Sequence, residues 1–296
     1  MPLVSTLRFI AGHPLSRGAT LQAIGRFARW QIASRLAPGA IVQPWVGGSK
    51  FLVRAGETGM TGNVYTGLHD FADMGYLLHV LRDTDLFVDV GANAGSYTIL
   101  ASAAIGARSI AFEPAPETYR RLVDNVRINH REGRVECLNV AVGREAGTVR
   151  FTGGSDTTNH IAVVDEPGAD VIEVPLRTLD SVLTGEDPVV LKMDIEGYEL
   201  PALEGAQQVL AGPALHSVIM ELNGSGRRYG FEDSRVVELM SDHGFRTFAY
   251  DPLRRSLEDL NGRSHAQGNT IFIRNRESVS QRLAGAAPFS VFGKAI

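Results

Sequence analysis

The 296-residue chain holds one cysteine, Cys137. A single thiol excludes an internal disulfide and any multi-cysteine metal site. It lies in the strand-like run VECLNVAV, so a buried, unreactive thiol is expected. Long apolar runs are missing as well. No stretch of about 18 apolar residues occurs, so no transmembrane helix is expected. The opening residues lack a signal-peptide core, because Arg8, Pro14, Arg17, Arg26 and Arg29 interrupt them. A cytoplasmic protein is the resulting expectation. Acid is missing from the first 56 residues, where Glu57 is the first carboxylate after seven basic residues. Strong overall charge is missing too: the formal net value is −4, which gives no electrostatic case for a nucleic-acid partner.

What is present is an ordinary folded-protein composition, 44% hydrophobic and 21% charged. In the acid-free segment, Leu21, Ile24, Phe27, Ala28 and Ile32 recur at helical spacing, with Arg26 and Arg29 off the stripe. The favoured reading is a helix packed on its own domain. A basic amphipathic helix can also rest on a membrane surface or a partner, so peripheral membrane contact is the lesser alternative. Residues 38–59 then read as a short strand pair with Pro and Gly turns.

From Leu77 strands and helices alternate. LFVDV, SIAFEP, RVECLNVAV, VVLKMD and SVIMEL read as strands, with helices through SYTILASAAI, PETYRRLVDNVRINH, YELPALEGAQQVL and SRVVELMSDHG. FRTFAY and NTIFIR close the series, and a looser section runs from Gly143 to Pro175. This alternation implies an α/β fold, a mainly parallel sheet with helices on both faces. Ligands of such sheets bind at the carboxyl ends of the strands. The expected organisation is an N-terminal helical and strand extension over 1–76, a main domain over 77–276, and a weakly patterned, mobile tail over 277–296. A homodimer surface on GYLLHVL or the N-terminal helix is an alternative to core packing of those residues.

VDVGANAGSY carries the strongest local signal. Asp89 closes a strand, Gly91 and Gly95 allow a tight turn and close approach, and a helix starts near Ser96. A dinucleotide fingerprint needs glycine where Asn93 stands, and a P-loop needs Gly-Lys-Ser/Thr, which is absent. The remaining Asp-x-Gly-x-x-x-Gly pattern resembles the first motif of S-adenosylmethionine-dependent methyltransferases, which implies a cofactor without phosphates at this loop. Candidate cofactor residues are Asp89, Gly91, Ala92, Asn93 and Gly95 from the loop. Glu113, at the next strand tip, is placed to accept ribose hydroxyls, and Asn139 is a weaker candidate for the adenine region.

The runs FVDVGANAGSYTILAS, AFEPAPETYRRLVDNVRIN, LNVAVG, TLDSV, LKMDIEGYELPALEGA and IMELN together resemble the FkbM family of methyltransferases. The resemblance spans residues 87–273. It implies a Rossmann-like class I methyltransferase sheet of seven strands with the last antiparallel, and S-adenosyl-L-methionine as methyl donor. It also implies O-methylation of a hydroxyl on a sugar or natural-product-like small molecule. A nucleotide-dependent oxidoreductase on the same fold, and a non-catalytic membrane-surface or partner-binding protein, are the rival readings.

Methyl transfer needs an acceptor oxygen held in line and a base for its proton. Asp194, at the tip of the fourth main strand, is the first candidate, with Glu196 in the following turn second. Glu199 starts the next helix, where an acid is favourable in any case. His160, in a polar insertion expected to wall the acceptor, is the next candidate base. His69 and the strand-tip carboxylate Glu221 are further candidates. A divalent ion held by Asp194, Glu196, Glu221 and His160 is the lesser reading, so no metal is expected.

Overall fold

In the computed structural model of the chain, residues 3–37, 39–153, 159–163, 170–266 and 268–296 are described. The central sheet has eight strands: β1 (Leu86–Val90), β2 (Arg108–Phe112), β3 (Val135–Leu138), β4 (Val190–Met193), β5 (Ser217–Met220), β6 (Arg246–Asp251), β7 (Ser256–Asp259) and β8 (Thr270–Ile273). Their spatial order is β7-β6-β8-β5-β4-β1-β2-β3. β1 to β5 are mutually parallel, while β8 runs antiparallel to both β5 and β6. The expected α/β class is observed with one strand beyond the seven implied. That strand is β7, which forms a hairpin with β6 at the sheet edge.

Alternation along the strands divides the core into two layers. Phe87, Val190 and Ile219 face one layer with Met74, Leu77, Leu100, Val279 and Leu283. Val88, Leu191 and Val218 face the other with Leu179, Leu203, Leu210, Val236 and Met240. Helices therefore cover both faces, as a sheet buried on both sides requires.

Three details depart from the expectations. RVECLNVAV is not one strand: β3 ends at Leu138, and Ala141–Val142 joins a separate three-stranded sheet with Gly147–Gly153 and Asp170–Arg177. The break falls at Asn139, whose side-chain amide donates to the carbonyls of Glu113 and Pro114. YELPALEGAQQVL forms two short helices, Glu199–Glu204 and Gln207–Ala211. They part at Gly205, where an added Cβ would lie 2.2 Å from the Gly143 carbonyl oxygen of the crossing chain. The tail after Arg276 is ordered: helix Arg276–Ala284 and a small hairpin place Val279, Leu283, Val291 and Ile296 in the main core. Arg282 fixes it further by an ion pair with buried Asp85 at 2.6 Å.

GYLLHVL spans the end of helix Phe71–Val80 and its C-cap Leu81 and is buried, so it packs in the core. The N-terminal strand pair forms as expected, Ile41–Pro44 against Lys50–Val53. The N-terminal helix spans Thr20–Leu36 and seats Ala23 and Trp30 in a small core with Ile10, Phe51 and Met60. The stripe read from the sequence splits, however. Ile24 and Phe27 pack against this core, whereas Leu21, Ala28 and Ile32 are exposed on the opposite face.

Candidate active site

A cavity of about 310 Å³ opens at the carboxyl ends of β1, β2, β4 and β5. Its glycine-loop wall is Gly91, Ala92, Asn93 and Ala94, followed by Ser96 and Tyr97 of the next helix. The loop is pinned by the Gly91 and Ala92 amides, which both donate to the Phe112 carbonyl at 3.0 and 2.9 Å. Asn93 adopts φ +51°, a left-handed conformation that asparagine tolerates. Its side-chain oxygen accepts the Ala94 amide at 2.6 Å.

Glu113 stands on this wall. Its two carboxylate oxygens accept the Asn93 and Ala115 amides, each at 2.9 Å. Burial pushes its carboxyl up to about 7, against the pull of those two amides. Each oxygen keeps a lone pair for a further donor.

The opposite wall is built from β4 and β5. Asp194 follows β4 and donates its amide to the Val90 carbonyl at 3.0 Å, which locks its position against β1. Its Oδ2 accepts the Lys192 ammonium at 3.0 Å. Lys192 is a buried cation inside an apolar strand, with its Nζ 4.7 Å from the Tyr97 ring centroid. Burial works against its charge, but Asp194 and Asp89 outweigh it and hold the ammonium well above its usual range. A carboxylate oxygen of Glu221, after β5, lies within 4.8 Å of one of Asp194. Burial and then the Asp194 charge push it up to about 8. Glu196 is raised for the same two reasons in the same order. Ligand oxygens of Asp194, Glu196 and Glu221 lie within 4.8 Å of one another, close enough to surround a cation. One oxygen of Asp194, though, already serves the Lys192 ammonium.

The turn between Asp194 and the next helix is tight. Glu196 takes φ +55° and Gly197 φ +100°. A Cβ on Gly197 would meet the Ser225 backbone at 2.5 Å, so only glycine fits there. Glu199 is buried, and one of its oxygens accepts the Ile195 and Gly197 amides at 3.2 Å, holding the turn.

Of the sequence candidates, Gly91, Ala92, Asn93, Glu113, Asp194 and Glu196 meet at the cavity, as do His69 and Glu221. Four do not line it. Asp89 is fully buried beneath the loop, where Thr98 donates to it at 2.6 Å. Gly95 packs on Leu122, and Asn139 braces the loop after β2. His160 is buried behind Asn159 and Ile161, which do line the cavity. Its backbone is tied to Thr152. Residues 154–158 of that insertion lie outside the described residues. Lys192, Tyr97 and Asp70 were not among the sequence candidates. The signal for Lys192 was a lone charge in VVLKM, a position a buried strand gives to no cation without a partner. Tyr97 and Asp70 carried no such signal; they meet only through the fold, the Tyr97 hydroxyl donating to Asp70 at 3.1 Å.

A Rossmann-like sheet with a glycine loop after β1 and acids at the tips of β2, β4 and β5 defines a class I methyltransferase fold. The profile of the methyltransferase FkbM domain matches residues 89–247, more than half of the chain, and the chain belongs to that family. Membership implies S-adenosylmethionine as methyl donor. The hexuronic acid methyltransferase AglP of Haloferax volcanii is 29% identical over 168 residues, covering 56% of this chain and 65% of that protein. The chain thus spans slightly less than two thirds of that relative. Methyltransferase sdnD of Sordaria araneosa is 26% identical over 209 residues, covering 59% of this chain and 79% of that one. A solved FkbM methyltransferase from Methylobacillus flagellatus is similar at 16% identity and TM-score 0.44, over 65% of this chain and 44% of that one.

The residues present suit this donor. Its ribose offers two hydroxyls, and Glu113 offers acceptor oxygens at a strand tip. Its sulfonium and ammonium are cationic, and among the described residues the cavity wall carries Asp70, Glu113, Asp194, Glu196 and Glu221 against one permanent cation, Lys192. Val140, Ala141, Val142 and Phe151 add an apolar wall suited to a flat base.

Proposed function

We propose that the chain is an S-adenosylmethionine-dependent O-methyltransferase acting on a hydroxyl of a sugar or natural-product-like small molecule. The observation that carries this reading is the close carboxyl pair Asp194–Glu221, with oxygens within 4.8 Å, set by β4 and β5 across one cavity from Glu113. S-adenosylmethionine, when bound, supplies a methyl group activated by the sulfonium.

The chain's own residues do the rest. Glu113 and the Asn93 turn hold the ribose end, and the apolar wall at Val140 and Phe151 takes the base. The Asp194–Glu221 pair accepts the proton of the acceptor hydroxyl as its oxygen attacks, which an alcohol needs near neutral pH. Lys192 positions Asp194 through its 3.0 Å hydrogen bond, and so acts through another residue. Glu196 borders the acceptor side, with His160 behind it. Likeness to a hexuronic acid methyltransferase supports a sugar acceptor.

The test is incubation with S-adenosylmethionine and a panel of hydroxylated sugars, read as S-adenosylhomocysteine release and as the methyl position by NMR. A methyl ether is the expected product. A methyl ester or methylamine, with no ether from any acceptor, contradicts the O-methyl reading.

A further inference from the structure

The helix Thr20–Leu36 has a second apolar face that is left exposed by the described residues. Leu21, Gly25, Ala28, Ile32 and Leu36 recur at the spacing of one helical face, opposite the buried Ala23 and Trp30. Leu21 is 86% exposed, Ile32 62% and Leu36 78%. Leu3 and Val4, on the adjoining helix Leu3–Gly12, are 61% and 68% exposed. An outer helix face of a monomeric domain is normally polar, so a row of large exposed aliphatics marks an interaction surface.

Charge names the occupant. Arg29 and Arg35 are exposed and flank the apolar row, and Arg8 and Arg17 are exposed in the same helical layer. Before Glu57 there are seven bases and no acid, while the other 240 residues carry eleven more acids than bases. We propose that this face docks the protein on an anionic lipid bilayer. The aliphatic row enters the headgroup boundary and the arginines meet lipid phosphates and carboxylates. A symmetric contact with a second copy fits less well. It brings two arginine-flanked rows together, with no acid in the segment to pair them. The same layer reaches the cavity: His69 lines it, and its ring lies 5.1 Å from the Phe9 ring of the first helix, tilted by 53°. Docking therefore brings the cavity close to the lipid surface. The inference does not depend on the methyl-transfer reading.

The experiment is co-sedimentation of the full chain with phosphatidylcholine vesicles, with and without phosphatidylserine. Binding to the phosphatidylserine vesicles alone is expected, weakened by high salt. Arg29→Gln and Arg35→Gln are each expected to weaken it about fivefold. Leu21→Glu with Ile32→Glu is expected to abolish it. These side chains are exposed, so the melting temperature should hold; if the double variant misfolds, the arginine variants alone decide. Equal binding to both vesicle types, no binding, or no effect of the arginine variants overturns the proposal. So does sedimentation velocity showing a stable dimer that Ile32→Glu dissociates, which assigns the face to a second copy.

Discussion

A Cβ built on Gly91 would fall 1.9 Å from the carbonyl oxygen of Asp194. The glycine loop and the principal acidic residue are thus in direct backbone contact, and Gly91 at φ +79° leaves no room for a side chain. Close approach at this glycine is to the protein's own chain. Gly91→Ala must displace the tip of β4 or strain the loop, at about 2–3 kcal/mol. Urea denaturation is expected to show that loss, and turnover to fall with it. A variant as stable and active as the parent contradicts the contact.

Glu196 predicts a stability–activity trade. It holds φ +55° at the cavity without the freedom of glycine. Glu196→Gly relieves the backbone but adds chain entropy to the unfolded state, so stability is expected to stay level or rise by up to about 1 kcal/mol. Turnover is expected to fall. A marked loss of stability instead means the Glu196 side chain, and not the turn, holds this region.

Stability should decline as pH rises above neutral. Burial raises Glu113 and Glu199 to about 7, Asp73 to about 8 and Glu221 to about 8. Each is ionised in the unfolded chain well below those values, so between them the folded state binds more protons. Stability is therefore lost as pH rises from the unfolded carboxyl range toward 8. His13 and His79 oppose this at lower pH, because burial holds them neutral down to about 4. Above about pH 6.5 they are neutral in both states and cease to contribute. Thermal melts at pH 6.5 and pH 8.5 should show the lower melting temperature at pH 8.5. The opposite order contradicts the carboxyl burial.

Chelation separates two uses of the acidic cluster. With Lys192 already bonded to Asp194, the cluster carries its own cation, and turnover should be unchanged after EDTA treatment. A loss restored by magnesium assigns Asp194, Glu196 and Glu221 to a metal site.

Much of this arrangement was legible in the sequence, for identifiable reasons. β1, LFVDV, is a short apolar run ended by glycine, and its bounds follow directly. The strand tips at Glu113, Asp194 and Glu221 were visible because acids interrupt buried strands. The break after β3 was not, because Asn139 leaves the apolar pattern intact while its side chain bonds to a distant loop. The tail's order depends on Arg282 meeting Asp85 across 197 residues, which no local pattern records. The N-terminal stripe misled for a different reason. The helix is apolar on two faces, and periodicity does not tell which one the protein covers.

Asp194 is half of the proposed proton-accepting pair. The most direct measurement is Asp194→Asn, with S-adenosylhomocysteine affinity by calorimetry beside turnover on an accepted substrate. The account predicts that affinity is largely kept and turnover falls about 100-fold or more. The residual rate should follow a pH profile displaced to lower pH, because Glu221 has lost the neighbouring charge that raised it. Parent-like turnover with an unmoved profile contradicts it.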